Sequence, residues 1–239
     1  MNRVWTLVAF LTRDLFHSLA GILPLAAALA FGIIAFEYGM DQPQFITVAG
    51  VGLGAICFMT TLLLASRVNR ASSYLLVARL HRRAELLASM ILSGLGISIV
   101  LAILIAVGNL LTARLTLDFP SFLWIVPTWL ALWLLIAALA LSLSALVERS
   151  GSHLFGYVLL ACLLIANDRK SVLAARGLDW LVEVINAILW PVNTLLSQAS
   201  AGTYTPSYFM ALAMTLVYVV LFFVLAVSFF QDKDLLWSE

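Results

Sequence analysis

From Leu86 to Leu111 the chain runs without a single charged side chain, and comparable stretches recur along its length. An α-helix needs about 20 apolar residues to cross a hydrocarbon core of roughly 30 Å, and lipid admits only helices or closed barrels, because every backbone polar group must be satisfied internally. These runs lack the period-two alternation of barrel strands, which excludes a barrel. The pattern predicts six transmembrane helices, near 19–36, 45–66, 86–111, 121–147, 153–166 and 207–230, the fifth being the shortest.

Composition agrees. Hydrophobic residues make up 64% of 239, charged residues 10%, and the mean hydropathy is +1.08, against roughly 45–50% apolar content in soluble domains. A formal net charge of +1 gives no basis for nucleic-acid binding, which needs clustered cations over phosphates. Cys57 and Cys162 lie in apolar runs with no CxxC and no neighbouring histidine; both read as small core residues rather than metal or redox groups. Arg13 and Asp14 interrupt the first apolar run, so the N-terminus is expected to stay rather than be cleaved as a signal.

The chain reads as one transmembrane domain over 1–239 with three embellishments. In 1–18, Val4, Leu7, Val8, Leu11 and Leu15 recur at helical spacing, while Arg3, Thr6, Arg13, Asp14 and His17 fall opposite. That pattern predicts an interfacial helix, the alternative being an extension of the first span. In 67–85, Ser72 and Ser73 are N-cap candidates ahead of an apolar Tyr74–Ala78 stretch, followed by Arg79, His81, Arg82 and Arg83; a short helix with a basic end is expected. In 167–206, Leu178, Leu181, Val182, Ile185, Ile188 and Leu189 oppose Asp179, Glu183 and Asn186, which predicts an outer amphipathic helix that Pro191 stops. Trp180, Trp190, Tyr204 and Tyr208 suit an aromatic belt.

Nine of the 13 Lys and Arg, among them Arg3, Arg13, Arg67, Arg70, Arg79, Arg82, Arg83, Arg149 and Lys233, fall on one side of this arrangement. The positive-inside rule makes that side cytoplasmic, with both termini on it.

No GxxxxGK[ST], HExxH or GxSxG occurs, and His17, His81 and His153 are too dispersed for a ligand set. Metal, cofactor and catalytic residues are therefore not expected in this chain. The spans carry no charge away from their ends, which argues against proton coupling or voltage sensing. Thr47, Thr60, Thr61, Asn109 and Tyr157 are candidates for a substrate pathway, with hydrogen bonding between helices as the plainer reading of the polar groups. Gly50 and Gly54 form a small-xxx-small pair that lets another helix approach, and Pro24 and Pro127 can kink their spans.

The order of parts, together with Thr12-Arg13-Asp14-Leu15, Ser72 through Leu87, Leu141 through Ser150 and Phe229 through Leu235, resembles the membrane subunits of ABC transporters of the type-two exporter class. Arg70, Ala71 and Ser72 stand where that family carries an acidic residue and a glycine, which argues against its haem-exporter branch. The resemblance implies a permease in a bacterial cytoplasmic (inner) membrane. A second permease copy or a related membrane subunit would complete it, with membrane lipid around it. ATP and Mg would be bound and hydrolysed by separate cytoplasmic ABC ATPase subunits. It also implies that Arg67, Arg70, Ser72, Ser73, Tyr74, Leu75, Ala78, Arg79, Arg82, Arg83 and Glu85 form the contact with that ATPase. A non-transporting membrane scaffold that anchors a cytoplasmic partner remains the alternative; an intramembrane enzyme has no paired catalytic residues to rest on.

Overall fold

A computed structural model describes residues 2–38, 42–68, 83–111, 119–144, 180, 183–184, 187 and 189–232. Among the described residues there are seven α-helices and no strand: α1 (Asn2–Phe16), α2 (Ile22–Tyr38), α3 (Gln42–Val68), α4 (Arg83–Leu111), α5 (Phe119–Ser142), α6 (Trp190–Ala201) and α7 (Pro206–Asp232). Helices α3, α4, α5 and α7 are long and apolar enough to cross a membrane. The chain is thus a multi-pass, all-α membrane protein. Four of the expected spans coincide with these helices; the 153–166 span lies outside the described residues.

The segment expected as the first span falls on α2, which is not among those four helices and does not simply extend α1. The helix closes with His17 N–H on the Arg13 carbonyl (3.0 Å), after which the Ser18 hydroxyl and amide both donate to the Leu15 carbonyl (2.7 and 3.1 Å). A 3₁₀ turn, Leu19–Gly21, follows, and the chain leaves it bent by 91°. A Cβ on Gly21 would stand 2.5 Å from the Leu15 carbonyl oxygen and 3.0 Å from the Phe16 Cα. Only glycine fits a corner this tight, because the atoms it meets are backbone and cannot swing aside.

Helix α3 is the centre of the bundle: two-thirds of its most apolar window is buried, against 17% for α7. Its other neighbours include α2, α4 and α6, but its contact with α5 is the most specific. The Trp129 indole N–H donates to the Ile46 carbonyl (3.0 Å) and the Trp133 indole N–H to the Gly50 carbonyl (2.8 Å). Both donors and both acceptors are four residues apart, one helical turn, so the bonds form two rungs between the two helices. Buried indoles need such acceptors, and the glycines make room for them: a Cβ on Gly50 would lie 2.7 Å from Trp129 Nε1. The small-xxx-small pair expected to admit a helix thus admits α5 through Trp129 at Gly50 and chiefly Ile136, with Trp133 behind it, at Gly54. Gly52 makes the corresponding room for Phe31 of α2.

Pro191, expected to stop a preceding amphipathic helix most of which lies outside the described residues, sits in the first turn of α6, where a residue without an N–H loses no helical hydrogen bond. Gly202, at φ 65°, closes α6 in the left-handed conformation and donates to the Ala199 carbonyl. Residues 203–205 then lead directly into α7. Helix α7 is held to α5 by Thr128 and Tyr208, whose hydroxyls are 2.8 Å apart, and by Ser142 Oγ donating to the Phe222 carbonyl (3.2 Å).

Candidate functional site

The candidate coupling residues divide between two ends of one connection. Arg70, Ser72, Ser73, Tyr74, Leu75, Ala78, Arg79 and Arg82 lie outside the described residues, whereas Arg67 ends α3 and Arg83 and Glu85 open α4. Glu85 stands in the first turn of α4, where a carboxylate favours the positive end of the helix dipole.

Arg67 turns toward α1. Its Nη2 and Nε lie 2.7 and 2.8 Å from the same carboxylate oxygen, Oδ2 of Asp14. This ion pair pins the last turn of α1 to the end of α3, while Leu11 and Leu15 of α1 are buried alongside. The apolar stripe read from the sequence therefore faces protein, chiefly α4. With the side chains 21% and 43% exposed, water screens the pair, and Asp14→Asn should cost about 1 kcal/mol at most. Thermal melts of the purified chain at low and high salt would check this; a loss that salt does not shrink would mean that Asp14 acts otherwise than through charge.

Arg83 turns toward α7. Its Nη1 donates to the Phe230 carbonyl at 2.6 Å, and its guanidinium carbon sits 5.4 Å from the centroid of the buried Phe230 ring. A cation at a helix C-terminus complements the carbonyls that lack helical partners there, and the aromatic face adds a further attraction. Arg83→Gln should cost about 2 kcal/mol and Arg83→Lys about half of that, since lysine keeps the charge but not the planar fork. Hydrogen exchange of the last turn of α7 reads this out, with faster exchange in the glutamine variant; equal protection in all three proteins would refute the clamp.

The pathway candidates are not brought together. Thr60 and Thr61 are fully buried in α3 and donate to the carbonyls of Ile56 (2.7 Å) and Cys57 (2.8 Å) four residues back. Thr47 does the same with Pro43 (3.2 Å), roughly 20 Å away along α3 at 1.5 Å per residue. These three hydroxyls satisfy themselves within their own helix. The side chain of Asn109 and all of Tyr157 lie outside the described residues.

At the opposite end of the bundle stands an aromatic cluster. Trp124 stacks on Tyr204 at 4.2 Å and meets Tyr208 and Phe209 edge-on at 6.0 Å. Gln198, Thr205 and Ser207 close a hydrogen-bonded triangle beside it (2.6 to 2.8 Å) that latches α6 to α7. Burial, with a smaller contribution from Tyr208, pushes the Tyr204 phenol above its ordinary value. The sequence singles out Tyr204 and Tyr208 for an aromatic belt, whereas Tyr208 is fully buried against the bundle; Trp124 and the latch carry no signal of their own, the one lying within an apolar run and the other being single polar residues around a turn. Asp14 and Phe230 went unread as partners for the same reason: nothing local in the sequence joins position 14 to 67 or 83 to 230.

No group of three or more His, Cys, Asp or Glu among the described residues is placed to hold a metal ion. No protein-family model, curated protein or solved structure matches the chain.

Proposed function

We propose that this chain is the permease subunit of an ATP-driven ABC exporter in a bacterial cytoplasmic membrane. On this reading it crosses the bilayer six times with both termini inside, pairs with a second copy or a related membrane subunit, and takes its energy from separate ATPase subunits that bind ATP and Mg. The observation that carries the reading is the pair of inward-turned arginines. Arg67 and Arg83 bracket residues 69–82 and are tied to α1 and to the end of α7 respectively. A push received between them has two routes into the bundle, one to α1 and one to the end of α7. In this proposal Arg70, Ser72, Ser73, Tyr74, Leu75, Ala78, Arg79 and Arg82 meet the ATPase, while Arg67 and Arg83 pass the displacement on.

The test is to purify the chain from its native membrane in lipid with whatever it retains. A co-purifying P-loop ATPase whose hydrolysis is lost with Arg79→Glu and Arg82→Glu together supports the reading. If no ATPase is retained and the double change alters nothing, the transporter is abandoned in favour of a membrane scaffold.

A further inference from the structure

Helix α1 has three sides, and only one of them faces the bundle. Leu11 and Leu15 are buried against neighbouring helices. At 100° per residue, Trp5, Ala9 and Phe16 share a second side about a third of a turn round, where Trp5 and Phe16 are 59% and 46% exposed. Arg3, Arg13 and His17 occupy the third, all exposed, together with the exposed Thr6 and Phe10. Arg13 Nε lies 3.5 Å from His17 Nε2, so the two side chains, one turn apart, sit as neighbours.

The ion pair described above decides the charge of that third side. Asp14 is the one acidic residue before Glu37, and Arg67 holds its carboxylate. What α1 turns outward is basic and uncompensated by any acid of its own. The right-angled corner at Gly21 sets α1 across the direction of α2, which lays it along a membrane plane if α2 runs through the bilayer.

We propose that α1 is a docking surface for anionic lipid: Arg3, Arg13 and His17 receive phosphate headgroups of the adjoining leaflet, while Trp5 and Phe16 sink into its acyl boundary. Apolar anchoring and basic attraction are the two signals that hold a helix at an interface. The phosphate of an anionic lipid matches the guanidinium fork, and near such a surface each arginine strengthens binding about fivefold. This inference holds whether or not the chain is an exporter.

The test uses the full chain in micelles doped with phosphatidylglycerol or phosphatidylcholine, with retained lipid counted by native mass spectrometry. The wild type should retain phosphatidylglycerol in preference. Arg3→Gln with Arg13→Gln should weaken that retention about 25-fold, and the corresponding double lysine variant should keep most of it. Trp5→Ala with Phe16→Ala should weaken both lipids alike. Free glycerol phosphate should not compete. Unchanged phosphatidylglycerol retention in the glutamine variant overturns the proposal and leaves the basic side to an acidic protein partner. Competition by glycerol phosphate equal to that of the lipid overturns it in favour of a soluble-phosphate site. A glutamine variant that melts earlier in phosphatidylcholine alone overturns it too, because the arginines would then be structural.

Discussion

Trp133→Ala should destabilise the bundle by about 3 kcal/mol, and Trp133→Phe by roughly half of that. The side chain is 2% exposed at the centre of the α3–α5 contact, and its ring lies 5.4 Å from that of Trp129. In lipid the transfer of apolar surface contributes little, because the surrounding tails are as apolar as the core. The loss is therefore the cavity and the missing dispersion contacts, together with the indole bond to Gly50. Phenylalanine refills most of the space and forfeits the bond.

The glycines beneath test the same contact from the other side. Gly50→Ala places a methyl 2.7 Å from Trp129 Nε1, an atom fixed by its bond to Ile46, and should cost about 2 kcal/mol. Gly54→Ala meets mainly Ile136 Cδ1 at 2.6 Å, a free chain end that can rotate away, and should cost under about 1 kcal/mol. Thermal melting of the detergent-solubilised variants, followed by size-exclusion chromatography, ranks them. If Gly54→Ala melts before Gly50→Ala, the two-rung account of the α3–α5 contact is wrong.

Gly21→Ala should release α1 from the bundle. The added methyl would sit 2.5 Å from the Leu15 carbonyl oxygen and 3.1 Å from its carbon, so the corner must open and the Gly21 N–H bond to Ser18 (3.0 Å) must lengthen or break. Forced overpacking costs about 1–3 kcal/mol where side chains can yield; against backbone the upper end is expected. Since α1 is joined to the rest through Leu11, Leu15 and the Asp14–Arg67 pair, its amides should exchange with deuterium much faster while those of α3 stay protected. Ser18→Ala, which removes only the hydroxyl bond to Leu15 (2.7 Å), should cost about 1 kcal/mol and leave α1 docked. Unaltered exchange of α1 in the alanine variant at 21 would show that the corner tolerates a side chain.

Helix existence was legible because hydropathy and helical period are local properties. The stripe Val4, Leu7, Val8, Leu11 and Leu15 announced α1, and the charge-free runs announced α3, α4, α5 and α7. What a stripe faces is not local. The same pattern suits a lipid surface or a protein groove, and α1 meets α4 while showing Trp5 and Phe16 outward. Pro191 illustrates the same limit at a boundary, since a residue lacking an N–H serves equally after one helix and in the first turn of the next.

The candidate site divides along the same line. Sequence marked the arginines around 67–85 by their density beside apolar runs, yet density says nothing of direction. Arg67 and Arg83 turn inward because the bundle brings a carboxylate 53 positions away and a helix end 147 positions away within reach. Sequence by itself determined a membrane-bound, all-helical chain, because lipid leaves a backbone no other way to satisfy its hydrogen bonds when the apolar runs are this long and unalternating. Tertiary structure alone decided that Gly50 houses a tryptophan, that Gly21 makes a right angle and that two of the basic residues act as clamps. The tryptophan at Gly50 and the two clamps depend on which distant atoms come to lie within about 3 Å, and the Gly21 corner, though local, depends on a close backbone approach; no spacing along the chain encodes either.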